Sequence, residues 1–273
     1  MNQTGSQVGS PHPTECRLII NAPAPGAWNM GVDEALFVDA GENGVATLRF
    51  YRWSEPTLSL GYFQRYDDRQ KHAPSRGCAV VRRQTGGGAI LHDRELTYSL
   101  SLPAGHRLAR QTEKLYAAVR DAFITALMPT LTAGEPHWKL TCCDQESNGS
   151  ANRDPFLCFQ RRARGDVLLT SPAEDSGIDW KILGSAQRRH RGAILQHGSL
   201  LLGRSPAAPE LPGLRDLTGR AFAIGEIATA LSVRLAAALD ARLFESPLPP
   251  KLESKAEELA NSKYGSRGWT NRR

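Results

Sequence analysis

The order of its apolar patterns constrains this chain most. After a helical stretch over residues 21–40 come four strand-like segments: "ATLRFYRW" (46–53), "TLSLGYFQ" (57–64), "GCAVVRR" (77–83) and "ELTYSLSL" (95–102). Three more follow a long helical stripe: "DVLLT" (166–170), "WKILGSAQ" (180–187) and "GAILQHGSLLL" (192–202). In the first strand Leu48 and Phe50 point one way and Arg49 and Tyr51 the other, the period of two that a strand imposes. Helical spacing puts Trp28, Val32, Ala35 and Leu36 on one face of residues 21–40. It also aligns Leu115, Val119, Ala122, Phe123 and Leu127 in residues 111–128, with Thr112 in position to cap that helix. Residues 226–243 and 251–263 read as two further amphipathic helices. Residues 129–154, rich in Pro, Gly, Ser, Asn and Cys, read as a long loop, and "SPAEDSGID" as a turn. Strands set in hairpins with helices grouped before and after them predict an α+β fold. Its sheet is mixed or antiparallel and flanked by helices, without a regular βαβ repeat.

Composition narrows the class. The chain has 273 residues, 40% hydrophobic and 23% charged, which suits one large or two small globular domains. Thirty-four Lys+Arg against 28 Asp+Glu give a net charge of +6, which favours anionic partners. The opening "MNQTGSQVGSPHPTE" lacks the basic-then-apolar pattern of a secretory signal. It is polar, and residues 1–14 read as a disordered tail. No apolar run reaches the ~18–20 residues needed to cross a bilayer. Five cysteines without C-x-x-C spacing (Cys16, Cys78, Cys142, Cys143 and Cys158) argue against a disulfide framework or zinc site and for a cytoplasmic protein with reduced thiols.

Two clusters carry chemistry. "RRQTGGGAILHD" sets Arg83 and Thr85 before Gly86, Gly87 and Gly88. Consecutive glycines let a backbone approach a ligand closely, and their N–H groups can form an anion-binding nest beside a planar guanidinium. A wide hairpin turn with surface arginines explains the same pattern equally well. "WKILGSAQRRHRGAILQHGSLLL" places Lys181 mid-strand between Trp180 and Ile182, then a basic turn, then His197 inside the next strand. An ammonium buried without a partner is costly, so Lys181 is either functional or a snorkelling edge lysine. His197 alone reads better as a satisfied core histidine.

Together "WNMGVDEAL", "RRQTGGGAILHD" and "KILGSAQRRHRGAILQHGSLLL" resemble three signatures of the biotin/lipoate ligase and transferase superfamily. The similarity is greatest to its lipoate–protein ligase A and LipM-type octanoyltransferase branches, in the right order over roughly residues 15–240. The resemblance implies the α+β fold shared with biotin ligases and class II aminoacyl-tRNA synthetases. It implies a catalytic domain over 15–245, followed by a helix and tail over 246–273. It further implies a medium-chain acyl substrate and an acceptor lysine on a lipoyl domain, such as glycine cleavage H protein or a 2-oxoacid dehydrogenase E2. The loop of Arg83, Thr85, Gly86–Gly88 and Ala89 would lie along the acyl group, with Arg83 meeting its polar end. Lys181 would stabilise charge on the reacting carbonyl. Gly184, Ser185, Ala186, His92 and His197 would line the pocket. No metal, membrane or nucleic-acid role is expected, and the protein is expected to be a monomer.

The resemblance leaves two chemistries. A ligase would need ATP and magnesium to activate free lipoate or octanoate. A transferase would need no cofactor and would take octanoate from octanoyl-acyl carrier protein onto its own cysteine. "PFLCFQRRARGDVLL" supplies Cys158 in the place the transferase branch uses, where Lys181, Arg161 or Arg162 would favour the thiolate. The other reading of Cys158 is an inert cysteine in an apolar strand. Cys142 and Cys143 read as incidental.

Overall fold

A computed structural model describes residues 13–134, 138–144, 155–171 and 179–273. Most of the proposed N-terminal tail, much of the proposed 129–154 loop and most of the "SPAEDSGID" turn lie outside those residues. The strands are β1 (Thr14–Ile20), β2 (Ala46–Tyr51), β3 (Thr57–Leu60), β4 (Ala79–Arg82), β5 (Ile90–His92) and β6 (Glu95–Leu102). They continue with β7 (Lys139–Cys142), β8 (Val167–Thr170), β9 (Asp179–His190), β10 (Ala193–Leu201) and β11 (Ala241–Glu245). The helices are α1 (Gly26–Asn43), α2 (Thr112–Thr132), α3 (Leu214–Thr218), α4 (Ile224–Leu239), α5 (Pro250–Leu259) and α6 (Arg267–Thr270).

Eight strands form one mixed sheet in the order β11-β1-β2-β6-β10-β9-β8-β7, and β4-β3-β5 form a small second sheet. Only the β11–β1–β2 edge of the large sheet is parallel. The α+β expectation therefore holds. Helices α2 and α4 cover one face through Leu115, Val119, Phe123, Leu231 and Leu235, packed on Leu48, Phe50, Leu100 and Ile194. Helix α1 covers the other, where Val32, Ala35 and Leu36 meet Tyr51, Trp53 and, from α5, Ala256. Both faces of β2 are thus buried, and its alternation separates two cores instead of core from water.

Several elements differ from expectation. Helix α2 continues through Pro129 to Thr132 because Leu131 is buried in the core, and β7 follows where a loop was expected. Thr112 does not cap α2; Gln111 is the capping position, and the Thr112 hydroxyl instead accepts from Arg189. Residues 241–243 belong to β11, not to the preceding helix. The "RRHR" stretch is mostly strand. Its turn is Arg191–Gly192, both at positive φ (49° and 82°), the backbone that a two-residue hairpin requires. Among the described residues, no helix is long and apolar enough to cross a membrane.

Candidate active site

Cys158 opens a short 3-10 turn, Cys158–Gln160, and is half-buried, not locked in an apolar strand. Its N–H donates to Ala89 O at 2.7 Å, and Ala89 N–H donates to Phe156 O at 3.1 Å. These two bonds stitch the cysteine segment onto the chain leaving the glycine run. A Cβ on Gly88 would lie 3.3 Å from both N and Cα of Cys158, so a side chain there would press on the cysteine backbone. Gly87 has φ +93°, a conformation that a residue with a Cβ rarely adopts.

Lys181 approaches the same cysteine from β9. Its Nζ lies 3.7 Å from Cys158 Sγ, 3.3 Å from Cys158 O and 2.8 Å from Asp166 Oδ2. The side chain is 3% exposed, so this lysine is buried and paired, with no snorkelling. Burial works against its ammonium, but the charges of Cys158 and Asp166 outweigh that and raise its pKa. Asp166, which also accepts from Ala163 N–H at 2.7 Å, holds the ammonium in place. A Cβ on Gly184 would lie 2.9 Å from Lys181 Cε, so the glycine of "GSAQ" leaves the space the lysine occupies. Ser185 Oγ sits 2.7 Å from Tyr98 OH, and Ala186 pairs with His197 across β9 and β10.

Arg83 does not offer a free donor to a ligand. Nε donates to Thr85 Oγ1 (3.1 Å). Nη1 donates to Ser59 O and Oγ (3.0 and 3.2 Å), and Nη2 to the carbonyls of Gly86 and Gly88 (2.7 and 2.8 Å). All five N–H groups are therefore spent inside the protein. The expectation that Arg83 meets the polar end of the acyl group gives way to a different role: the glycine loop is wrapped around a buried guanidinium. Burial pushes its pKa down to about 10, opposed by Cys158, so it stays charged at neutral pH.

Two matched arms hold that guanidinium. On one side Thr85 Oγ1 lies 2.7 Å from His197 Nε2, whose Nδ1 lies 3.2 Å from Asp33 Oδ2. On the other, Ser59 Oγ lies 2.8 Å from His92 Nε2, whose Nδ1 lies 2.6 Å from Glu95 Oε1. An ionised carboxylate only accepts, so each imidazole donates Nδ1–H to its acid and turns Nε2 toward the hydroxyl. Asp33 also receives Arg49 at 2.7 Å, Ser99 at 2.8 Å and Tyr51 at 2.9 Å. Burial would raise the Asp33 pKa, but the His197 hydrogen bond and the Arg49 charge overcome it and hold it down. His92 stacks on Trp53 at 3.9 Å. Both expected pocket histidines thus face protein partners at both ring nitrogens.

Sequence reading missed Asp33, Arg49, Ser59, Glu95 and Asp166. The available signals were an acid inside an apolar helix, a charge inside an apolar strand, and an acid directly before "VLL". Of the remaining cysteines, Cys143 exchanges backbone bonds with Asp166 and Gly165, which puts it beside the lysine's anchor.

Residues 25–207 match the family described as "Lipoyl protein ligase A/B catalytic domain". The chain belongs to this family. The octanoyltransferase LipM of Kyrpidia tusciae is 31% identical over 94% of this chain and 98% of its own length. That of Bacillus anthracis is 28% identical over 89% and 93%. Among solved structures, the bi-partite lipoate protein ligase of Thermoplasma acidophilum superposes with a TM-score of 0.68 at 22% identity, covering 94% of this chain and 96% of that one. At that identity the likeness concerns the fold.

Proposed function

We propose that this chain is a protein octanoyltransferase that carries the acyl group on Cys158 and delivers it to a lysine of a lipoyl-domain protein. The observation that carries the reading is the Lys181 ammonium 3.7 Å from the Cys158 sulfur, in a segment bonded to the glycine loop. Full-length similarity to LipM octanoyltransferases supports it. The Cys158 thiolate attacks the thioester carbonyl of octanoyl-acyl carrier protein. A new C–S bond forms, the donor's C–S bond breaks, and the departing carrier thiolate takes a proton from solvent. The acceptor amine then attacks the Cys158 thioester, forms the amide, releases its proton to solvent and returns the thiolate to Lys181. In both steps Lys181 stabilises the charge that develops on the carbonyl oxygen. Asp166 positions Lys181. Arg83, Thr85, His92 and His197 hold the glycine loop, and Gly86–Gly88 and Ala89 form the backbone wall beside the acyl group.

Incubation with octanoyl-acyl carrier protein and no nucleotide, followed by intact-mass measurement, tests this. One hydroxylamine-labile octanoyl adduct on Cys158 is expected, and it should pass to H protein or an E2 lipoyl domain. Attachment of free lipoate or octanoate only with ATP and magnesium would make the protein a ligase instead.

A further inference from the structure

Residues 269–273 are tied to Arg82, just before the glycine loop, and to Tyr66. The fully buried Arg82 donates Nε and Nη2 to Thr270 O (3.1 and 2.8 Å), and Nη1 to Gly61 O and Gln64 O (2.9 and 2.7 Å). Trp269 Nε1 donates back to Arg82 O at 2.8 Å, and Tyr66 N–H donates to Arg273 O at 2.8 Å. This anchored backbone displays arginines on an aromatic platform. The Arg272 guanidinium carbon lies 4.3 Å from the Tyr62 ring centre, and that of Arg273 lies 5.2 Å from Phe63. Arg188 reaches Tyr62 from β9 at 5.3 Å. Among the described residues none of these three arginines has a carboxylate within 4.0 Å. Phe63 is 63% exposed.

The platform adjoins the site. Tyr62 N–H donates to Thr85 O at 2.8 Å, and Phe63 lies against Gly86, two residues before the glycine that touches Cys158. We infer that Tyr62, Phe63, Arg188, Arg272 and Arg273 form the docking surface for an acidic acceptor protein, seating the acidic face around its target lysine. The inference rests on the proposed transfer to a lysine. A lysine side chain is short, so the acceptor must seat its backbone beside Cys158. A donor thioester on a long flexible arm has no such requirement. An exposed phenylalanine and a half-buried tyrosine beside arginines are residue types that carry binding energy at protein interfaces, and unpaired cations choose an acidic partner and speed its encounter.

The test is the full chain carrying Arg188→Glu, Arg272→Glu and Arg273→Glu, with a Gln series as the milder alternative should charge reversal disturb folding. Four quantities are measured: the Kd of an isotopically labelled apo lipoyl domain by NMR titration, its KM as acceptor, and the rates of Cys158 acylation by octanoyl-N-acetylcysteamine thioester and by octanoyl-acyl carrier protein. Acceptor Kd and KM should each rise by about tenfold or more and lose most of their salt dependence, while acylation by the small thioester stays at the wild-type rate. Unchanged acceptor Kd overturns the inference, as does a defect confined to acylation by the carrier-protein donor. If wild-type Cys158 is never acylated but binding still depends on the arginines, the transferase reading fails and the docking surface stands.

Discussion

His92 and His197 stand on different sheets, yet each is one hydroxyl away from the same guanidinium. Ser59 bridges His92 to Arg83 and Thr85 bridges His197 to it, with Glu95 and Asp33 behind the two rings. The small sheet supplies Ser59 and His92, and the large sheet supplies His197. Arg83 is therefore the point at which the sheets are registered against each other, and the glycine loop takes its shape from that point.

The hydroxyl of Thr85 can be tested separately from its bulk. Thr85→Ser should keep both hydrogen bonds and near-normal Cys158 acylation. Thr85→Val should leave Arg83 Nε and His197 Nε2 unpartnered at a loss of roughly 1–3 kcal/mol, with kcat falling more than KM rises. Equal behaviour of the two variants in a thermal melt and in single-turnover acylation would remove this arm from the site.

The acid-side stability should report on Asp33. Its folded pKa lies below the ordinary 3.8, so its contribution is complete above that value and is lost as pH falls through the folded pKa. Asp33→Asn should cost about 3–5 kcal/mol at neutral pH by leaving Arg49 uncompensated. Its melting temperature should then fall less steeply than that of the wild type below pH 4. Parallel curves would mean that Asp33 contributes no such dependence.

Two glycines should fail differently. Gly87→Ala puts a Cβ at φ +93° and should lower stability by about 1–2 kcal/mol, read in denaturant melts. Gly88→Ala presses on the Cys158 backbone at 3.3 Å and should slow acylation out of proportion to its effect on stability. A Gly88→Ala protein that acylates normally would show that the two segments move apart freely.

These pairings explain what the sequence disclosed and what it withheld. The α1 and α2 faces were legible because Val32, Leu36, Leu115 and Val119 repeat locally. Strand β1 was not, because Cys16 is flanked by Glu15 and Arg17 and its two parallel partners are remote or lie beyond a helix. The glycine loop and Lys181 were recognisable by motif. The reversal of Arg83 from ligand contact to loop core was not, because five donors facing inward or outward leave the same letters in the chain. Asp166 likewise acquires its meaning only when β8 pairs with β9 and delivers Lys181 to it.

The influence of Lys181 on the thiol can be read without donor or acceptor. Burial pushes the Cys16 thiol up to about 12, so alkylation at neutral pH should pass it by. Cys143 is buried as well, whereas Cys158 is half-buried with an ammonium 3.7 Å from its sulfur. Lys181→Met removes the ammonium beside the Cys158 sulfur and should slow iodoacetamide modification of Cys158 while leaving Cys142, which lies beside Arg120, at its own rate. Because that substitution strands Asp166, the Lys181→Met, Asp166→Leu pair is measured alongside it and should fold better but alkylate no faster. Octanoylation of the wild type should block Cys158 and no other cysteine, mapped by peptide mass. If Lys181→Met alkylates at the wild-type rate, the lysine serves the carbonyl alone.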